Sequence, residues 1–157
     1  MTEMNYMDLA IERADENLLL KEGGPFGAVV VRNEEIIAAA HNRVLIDRDP
    51  TAHAEIVAIR KACKVLGTHD LSGCRIYTNC YPCPMCLSAI IWANIKEVFY
   101  ANSSEDASKI GFRDDSIYKF IAEPSKNEKI VKFQQQDHTR GLSTFAKFAA
   151  DQGQEIY

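Results

Sequence analysis

The sequence predicts an α/β domain: a mixed five-stranded sheet with helices on both faces, in three α-β-α layers. Three observations carry this. Helix-period apolar stripes alternate with short β-branched runs, a hairpin precedes β-α-β units, and 157 residues suffice for one domain spanning 1–157. A domain of this size buries ~68–70% of its unfolded surface and needs no disulfide or metal to fold.

The elements follow in order. Met7, Ile11, Ala14 and Leu18 form one stripe of an amphipathic helix, which Gly23-Gly24-Pro25 ends. Gly27 to Arg32 and Ile36 to Ala40 read as two strands joined by a turn at Asn33-Glu34-Glu35. His41 to Pro50 is polar and loop-like. Beyond an imperfect capping box at Thr51, the residues Ile56, Ile59, Cys63 and Leu66 share a helical face, with Gly67 as its stop. Arg75 to Thr78 is a short strand. Pro82 and Pro84 open a helix to about Ala93 that is apolar nearly all round and is therefore expected to be buried. Glu97 to Ala101 is a fourth strand, Asp106 to Ile121 short helical pieces around Gly111, and Ile130 to Phe133 a fifth strand. Leu142 to Asp151 is a closing helix with Leu142, Phe145 and Ala149 on one side.

Composition narrows the function. Lys and Arg total 18 against 22 Asp and Glu, a net charge of −4, which disfavours a phosphate backbone as partner. No apolar stretch reaches the ~20 residues of a membrane span. The first residues carry no basic segment followed by an apolar one, so a cytoplasmic location is expected. Five cysteines (Cys63, Cys74, Cys80, Cys83, Cys86) are an odd count that argues against a disulfide framework.

Three of those cysteines fall within seven residues. Cys83-Pro84-Met85-Cys86 places two thiolates one turn apart at a helix start, where free amides and the dipole stabilise them. His53 adds an imidazole at another helix start. Two thiolates, one imidazole and an open fourth position form the ligand set of catalytic Zn2+. Glu55, two residues on, stands near the metal without having to bind it, as a proton shuttle requires. A structural zinc on Cys74, Cys80, Cys83 and Cys86 is the rival, and it leaves His53-Ala54-Glu55 unexplained.

His53-Ala54-Glu55 with Pro82-Cys83-Pro84-Met85-Cys86 resembles the H-x-E…P-C-x-x-C signature of zinc-dependent nucleobase deaminases, in the cytidine/deoxycytidylate deaminase-like superfamily. Within it the chain is most similar to the small bacterial guanine deaminases, through Gly23 to Val29, Asp49 to Glu55, Ile59 to Cys63, Gly111 to Asp115 and Tyr157. Tyr81 departs from the acidic or small residue often found before the Pro-Cys pair. The resemblance implies the cytidine deaminase-like fold and a hydrolysis in which zinc-bound hydroxide attacks C2 of guanine, with Glu55 moving protons and xanthine and ammonia as products. It implies that Phe26 stacks on the base, Asn42 hydrogen-bonds its edge, the Ala54 amide stabilises charge, and Asp114 or Asp115 supplies a second carboxylate. It further implies a homodimer that exchanges C-terminal segments, about 140–157, bringing Tyr157 over a site. The alternatives are deamination of guanosine, of a cytosine or triazine analogue, or of tRNA adenosine. The last needs a basic C-terminal surface, whereas 123–157 holds five basic residues (Lys126, Lys129, Lys132, Arg140, Lys147) against five acidic (Glu123, Glu128, Asp137, Asp151, Glu155).

Overall fold

The computed structural model describes residues 5–123 and 129–157. It divides into two units, 1–118 and 119–157. In the first, helix α1 (Tyr6–Leu20) leads into strands β1 (Gly27–Arg32) and β2 (Glu35–His41), a short helix α2 (Val44–Asp47) and helix α3 (Ala54–Leu66). Strand β3 (Cys74–Cys80), helix α4 (Pro84–Trp92), strand β4 (Glu97–Asn102) and helix α5 (Ser104–Lys109) follow. Helix α6 (Asp114–Ala122) crosses the boundary, and α7 (His138–Ala150) lies in the second unit.

The sheet order is β2-β1-β3-β4, antiparallel across β1 and parallel between β3 and β4. Strands β2, β3 and β4 therefore point the same way and β1 opposes them. The start of β1 at Gly27 lies opposite the end of β2 at His41, and the end of β3 at Cys80 pairs with Asn102 at the end of β4. The turns entering β1 and leaving β2, β3 and β4 thus share one edge of the sheet. Asn33 and Glu34, at φ 49° and 61°, make the two-residue left-handed turn that suits a twisted hairpin.

Strand β1 is buried on both faces, and its alternation sorts the core. Ala28 and Val30 join Ile76, the α3 residues Ala54, Ala58 and Ala62, and Ile90 of α4 on one side. Val29 and Val31 meet Ala10 of α1 on the other. Removing Ile76, fully buried, would cost about 2–5 kcal/mol.

Four expectations need correction. The sheet has four strands among the described residues, not five: Ile130 to Phe133 is turn and irregular chain with all four residues exposed. A four-residue run interrupted by Lys132 holds a strand only against a partner edge. The buried residues of α1 are Ala10, Ala14 and Asn17; Ala14 and the partly buried Met7 keep their expected places, but Ile11 and Leu18 of the expected stripe are exposed. Close approach decides this: a Cβ on Gly27 would stand 2.0 Å from the Ala10 carbonyl oxygen, so only small residues fit that face. Helix α4 is not buried all round, because Ile91 and Trp92 at its end are exposed. The cap of α3 is His53, not a box at Thr51, and its ring is left for other work.

Candidate active site

The site is built at the sheet edge where two helices begin. His53 is the N-cap residue of α3 and Cys83 that of α4, with Pro84 at the first helical position. The Cys83 thiol accepts the Cys86 backbone N–H at 3.5 Å, as an N-cap side chain does. His53 Nδ1 lies 3.5 Å from Cys83 Sγ. One ligand atom each from His53, Cys83 and Cys86 falls within 4.8 Å of the others, the only such His/Cys/Asp/Glu group among the described residues.

This donor set fits zinc. Tetrahedral coordination with Zn–S of ~2.3 Å and Zn–N of ~2.0–2.1 Å separates sulfur from nitrogen by about 3.6 Å, against the 3.5 Å seen between Cys83 and His53. Charge argues the same way. The Cys86 thiol and His53 ring hold the Cys83 thiol down to about 4, as a thiolate. The hydrogen bond to Cys83, together with burial, pushes Cys86 up. A buried cluster of two thiols and a carboxylate is the environment a divalent cation neutralises.

Glu55 occupies the first turn of α3 and is buried. Its carboxylate lies 3.4 Å from the Thr78 hydroxyl and 3.4 Å from the Cys86 thiol. Burial pushes its pKa up, so a protonated form is within reach. His53 is raised by its bond to Cys83. Cys80 also faces this space, but burial pushes it up to about 12 and its thiol turns to the Ser103 carbonyl oxygen at 3.5 Å.

A cavity of about 410 Å3 opens on the cluster, within the range of small-molecule sites. Phe26, Asn42, His53, Glu55, Cys83 and Asp114 all line it. Phe26 packs edge-on to Phe112 at 4.8 Å. Asn42 is buried, and its Oδ1 accepts the Val44 N–H at 3.0 Å, so its NH2 group remains the donor. Asp114 is half-buried in the first turn of α6, raised by burial and by the charge of Cys83, whereas Asp115 is exposed and does not line the cavity. Ala54 is fully buried as the first residue of α3. Tyr157 lies in the second unit, 79% exposed.

Gly23, Gly24, Pro50 and Arg113, from the stretches that carry the resemblance, also line the cavity with Tyr81; Val44 and Leu45, which no sequence signal singled out, complete this part of the wall. Tyr118 donates to the Pro82 carbonyl at 2.7 Å and so ties α6 to the loop before Cys83. His41, which no sequence signal singled out, lies between two carboxylates: Nδ1 is 2.8 Å from Glu16 and Nε2 2.6 Å from Glu22.

A fold with two metal-ligand helices at the carboxyl ends of parallel strands, and a carboxylate two residues past the histidine, defines a class. Residues 1–102 match the family described as the cytidine and deoxycytidylate deaminase zinc-binding region, and the chain belongs to that zinc-dependent deaminase family. Its relatives are more particular. It is 49% identical to the guanine deaminase of Bacillus subtilis (strain 168) over 145 residues, 92% of each chain. It is 40% identical to the tRNA-specific adenosine deaminase of Aquifex aeolicus (strain VF5) over 106 residues, 68% of each chain. A crystal structure of guanine deaminase from Bacillus subtilis superposes with a TM-score of 0.92 at 46% identity, covering 98% of this chain and 99% of that one.

Proposed function

We propose that this deaminase acts on guanine, converting the free base and water to xanthine and ammonia. The observation that carries the proposal is one cavity in which Glu55 and the His53–Cys83–Cys86 cluster share walls with Asn42, Phe26 and Asp114. Its volume lies in the range of small-molecule sites. The likeness to the Bacillus enzyme over 92% of the chain supports the same base.

Zinc held by His53, Cys83 and Cys86 supplies the Lewis acid that makes water nucleophilic at neutral pH. Glu55 would take one proton from the attacking water and pass it to the ring nitrogen as the C2–O bond forms, then take the remaining hydroxyl proton and pass it to the amine as the C2–N bond breaks and ammonia leaves. The Thr78 hydroxyl, 3.4 Å away, is placed to hold its carboxylate for that exchange. Asn42 offers N–H donors to the oxo or ring-nitrogen edge, and Asp114 accepts from the N–H edge. Phe26 covers the ring face. The backbone amides of Ala54 and Cys83 add positive potential from two helix starts.

A homodimer with exchanged C-terminal segments belongs to the same reading. Strand β4 is an edge, with Phe99 and Tyr100 half exposed. Leu142, Phe145 and Phe148 of α7 are exposed too, an apolar face that needs a partner. A second copy would cover these faces and bring Tyr157 to a site, and sedimentation at a dimer mass tests it; a monomer at micromolar concentration refutes it. Five free cysteines accord with a reducing cytoplasm, and among the described residues no helix is long and apolar enough to cross a membrane.

A panel of guanine, guanosine, adenine, cytosine, a triazine and tRNA, read by ammonia release, decides the substrate. Turnover of guanine above all others is expected. Turnover of another substrate with none of guanine refutes the base assignment. A gel shift with tRNA at physiological salt should show no tight, salt-sensitive binding.

A further inference from the structure

We propose that Asn17 of α1 is a positioning residue for the base-binding wall of the cavity, acting through Asn42; this rests on the reading of Asn42 as a contact to the base. Asn17 does not line the cavity. It sits behind it, 5% exposed, on a helix face whose other buried residues are Ala10 and Ala14. An amide on that face serves no packing need that a small apolar residue would not meet.

Its hydrogen bonds show what it does. Asn17 Nδ2 donates to the Gly24 carbonyl at 2.9 Å and to the Asn42 carbonyl at 2.8 Å. One NH2 group therefore ties together the two chain segments that form the wall. The orientation of the amide is fixed, because the flipped form would set Oδ1 against two carbonyl oxygens. The spacing it sets is tight: a Cβ on Gly23 would stand 2.0 Å from Asn42 Oδ1. With its own backbone held by Asn17 and its Oδ1 held by the Val44 N–H, Asn42 has one direction in which to present its NH2.

Neighbouring groups brace the same two segments. Glu16, the residue before Asn17, meets His41 Nδ1, and His41 Nε2 meets Glu22. The Glu22 carbonyl accepts the N–H groups of Leu45 and Ile46. On the other side, Asn79 accepts the Gly27 N–H at 3.0 Å and donates to the Pro25 carbonyl at 2.9 Å. The turn from Glu22 to Gly27 is thus held from behind by two buried amides, with Asn17 alone reaching Asn42. Misplacement of a contact by 1 Å costs up to ~10²-fold in rate.

The test is a double-mutant cycle on the zinc-loaded protein with guanine as substrate. Asn17→Asp keeps the shape and replaces the NH2 group and its two N–H donors with one oxygen that faces both carbonyls. It should lower kcat/KM by about 10- to 100-fold, chiefly through KM, with zinc content unchanged. In an Asn42→Ala background the same change should cost less than about threefold, because the path is already cut. Asn17→Ser, a milder loss of the two bonds, should move KM the same way and decides the matter if Asn17→Asp does not fold. A merely structural role would lower the melting temperature and leave KM alone. Wild-type KM in both Asn17 variants, or effects that add fully with Asn42→Ala, overturns the proposal alone. Wild-type KM in Asn42→Ala by itself overturns the assignment of Asn42 as well.

Discussion

Gly23→Ala should disable the cavity while leaving the metal cluster intact. An alanine Cβ at that position would stand 2.0 Å from Asn42 Oδ1, 2.7 Å from the Asn42 carbonyl oxygen and 2.9 Å from its carbon. Ordinary carbon–oxygen contact begins at roughly 3.3 Å, so Oδ1 must move by more than about 1 Å and the backbone by about half that. The side chain has no easy retreat, since Oδ1 is held by the Val44 N–H and the backbone by Asn17. A displacement of ~1 Å in a substrate contact costs about 10²-fold in kcat/KM, or ~2.7 kcal/mol in the transition state. Overpacking adds about 1–3 kcal/mol of lost stability. His53, Cys83 and Cys86 belong to other segments, so zinc content should stay at one per chain. The assay is ammonia release from guanine across substrate concentrations, with metal analysis and thermal melting on the same samples. Gly141→Ala is the control: it sits in helix α7 with open space where the Cβ would go, and should leave activity unchanged. Wild-type kcat/KM in folded Gly23→Ala would refute the reasoning, because the wall would then be free to yield.

Three further outcomes follow from the same geometry. Glu55→Gln, of equal size and able to keep the contact to Thr78, should cut turnover by ~10²–10⁴ with zinc retained; activity within threefold of wild type would remove Glu55 from proton transfer. One zinc per chain should be lost in Cys83→Ala or Cys86→Ala and kept in Cys63→Ala, Cys74→Ala and Cys80→Ala; loss in the last group would revive the four-cysteine site. Acid should destabilise the fold. Hydrogen bonds hold the carboxyls of Glu34 (from Arg75), Asp47 (from Arg43), Asp49 (from Thr51), Asp70 (from Ser72) and Asp106 (from Ser103) below their ordinary values. Lowered folded values mean that this stability is complete above pH ~5, beyond the unfolded values, and is lost as pH falls through the folded ones. Melting temperature should therefore drop between pH 5 and pH 2; a flat profile would show that these bonds carry no net stability.

The metal cluster and its neighbouring carboxylate were legible because each pair of residues is local. His53 and Glu55 are two residues apart, Cys83 and Cys86 three, and each pair opens a helix marked by its own punctuation. Asn42 and Asp114 were legible only through likeness to relatives, since a lone amide after a strand and an acid at a helix start are ordinary. Asn17 was invisible for a different reason. The α1 stripe read from large apolar residues includes Leu18, but backbone approach at Gly27 turns the small-residue face inward and carries Asn17 with it. The same limit explains the bracing of His41, whose partners Glu16 and Glu22 are 25 and 19 residues away in sequence. The fifth strand failed because an edge strand depends on the edge it joins, which local sequence does not encode.

Why His53 meets the Cys83–Cys86 pair follows from the direction of the strands. Strand β1 is antiparallel to both β2 and β3, so β2 and β3 run parallel, and the helices after them, α3 and α4, begin at the same edge. Both helices pack on the face that holds Ala28, Val30 and Ile76, so their N-termini share a face as well as an edge. His53 and Cys83 are the first residues at those two starts, and a 3.5 Å approach between them is a consequence of topology. The reversed direction of β1 then delivers Phe26 to that edge from the other end of its strand, beside Asn42 leaving β2. The His53–Cys83–Cys86 cluster and the cavity beside it therefore meet where the parallel strands end, the position in which open α/β sheets hold their ligands. A substitution that alters chemistry without altering the fold must fall on this edge or on the side chains that brace it. Asn17 is one of the latter: it belongs to the opposite face of the sheet and reaches the edge through two hydrogen bonds.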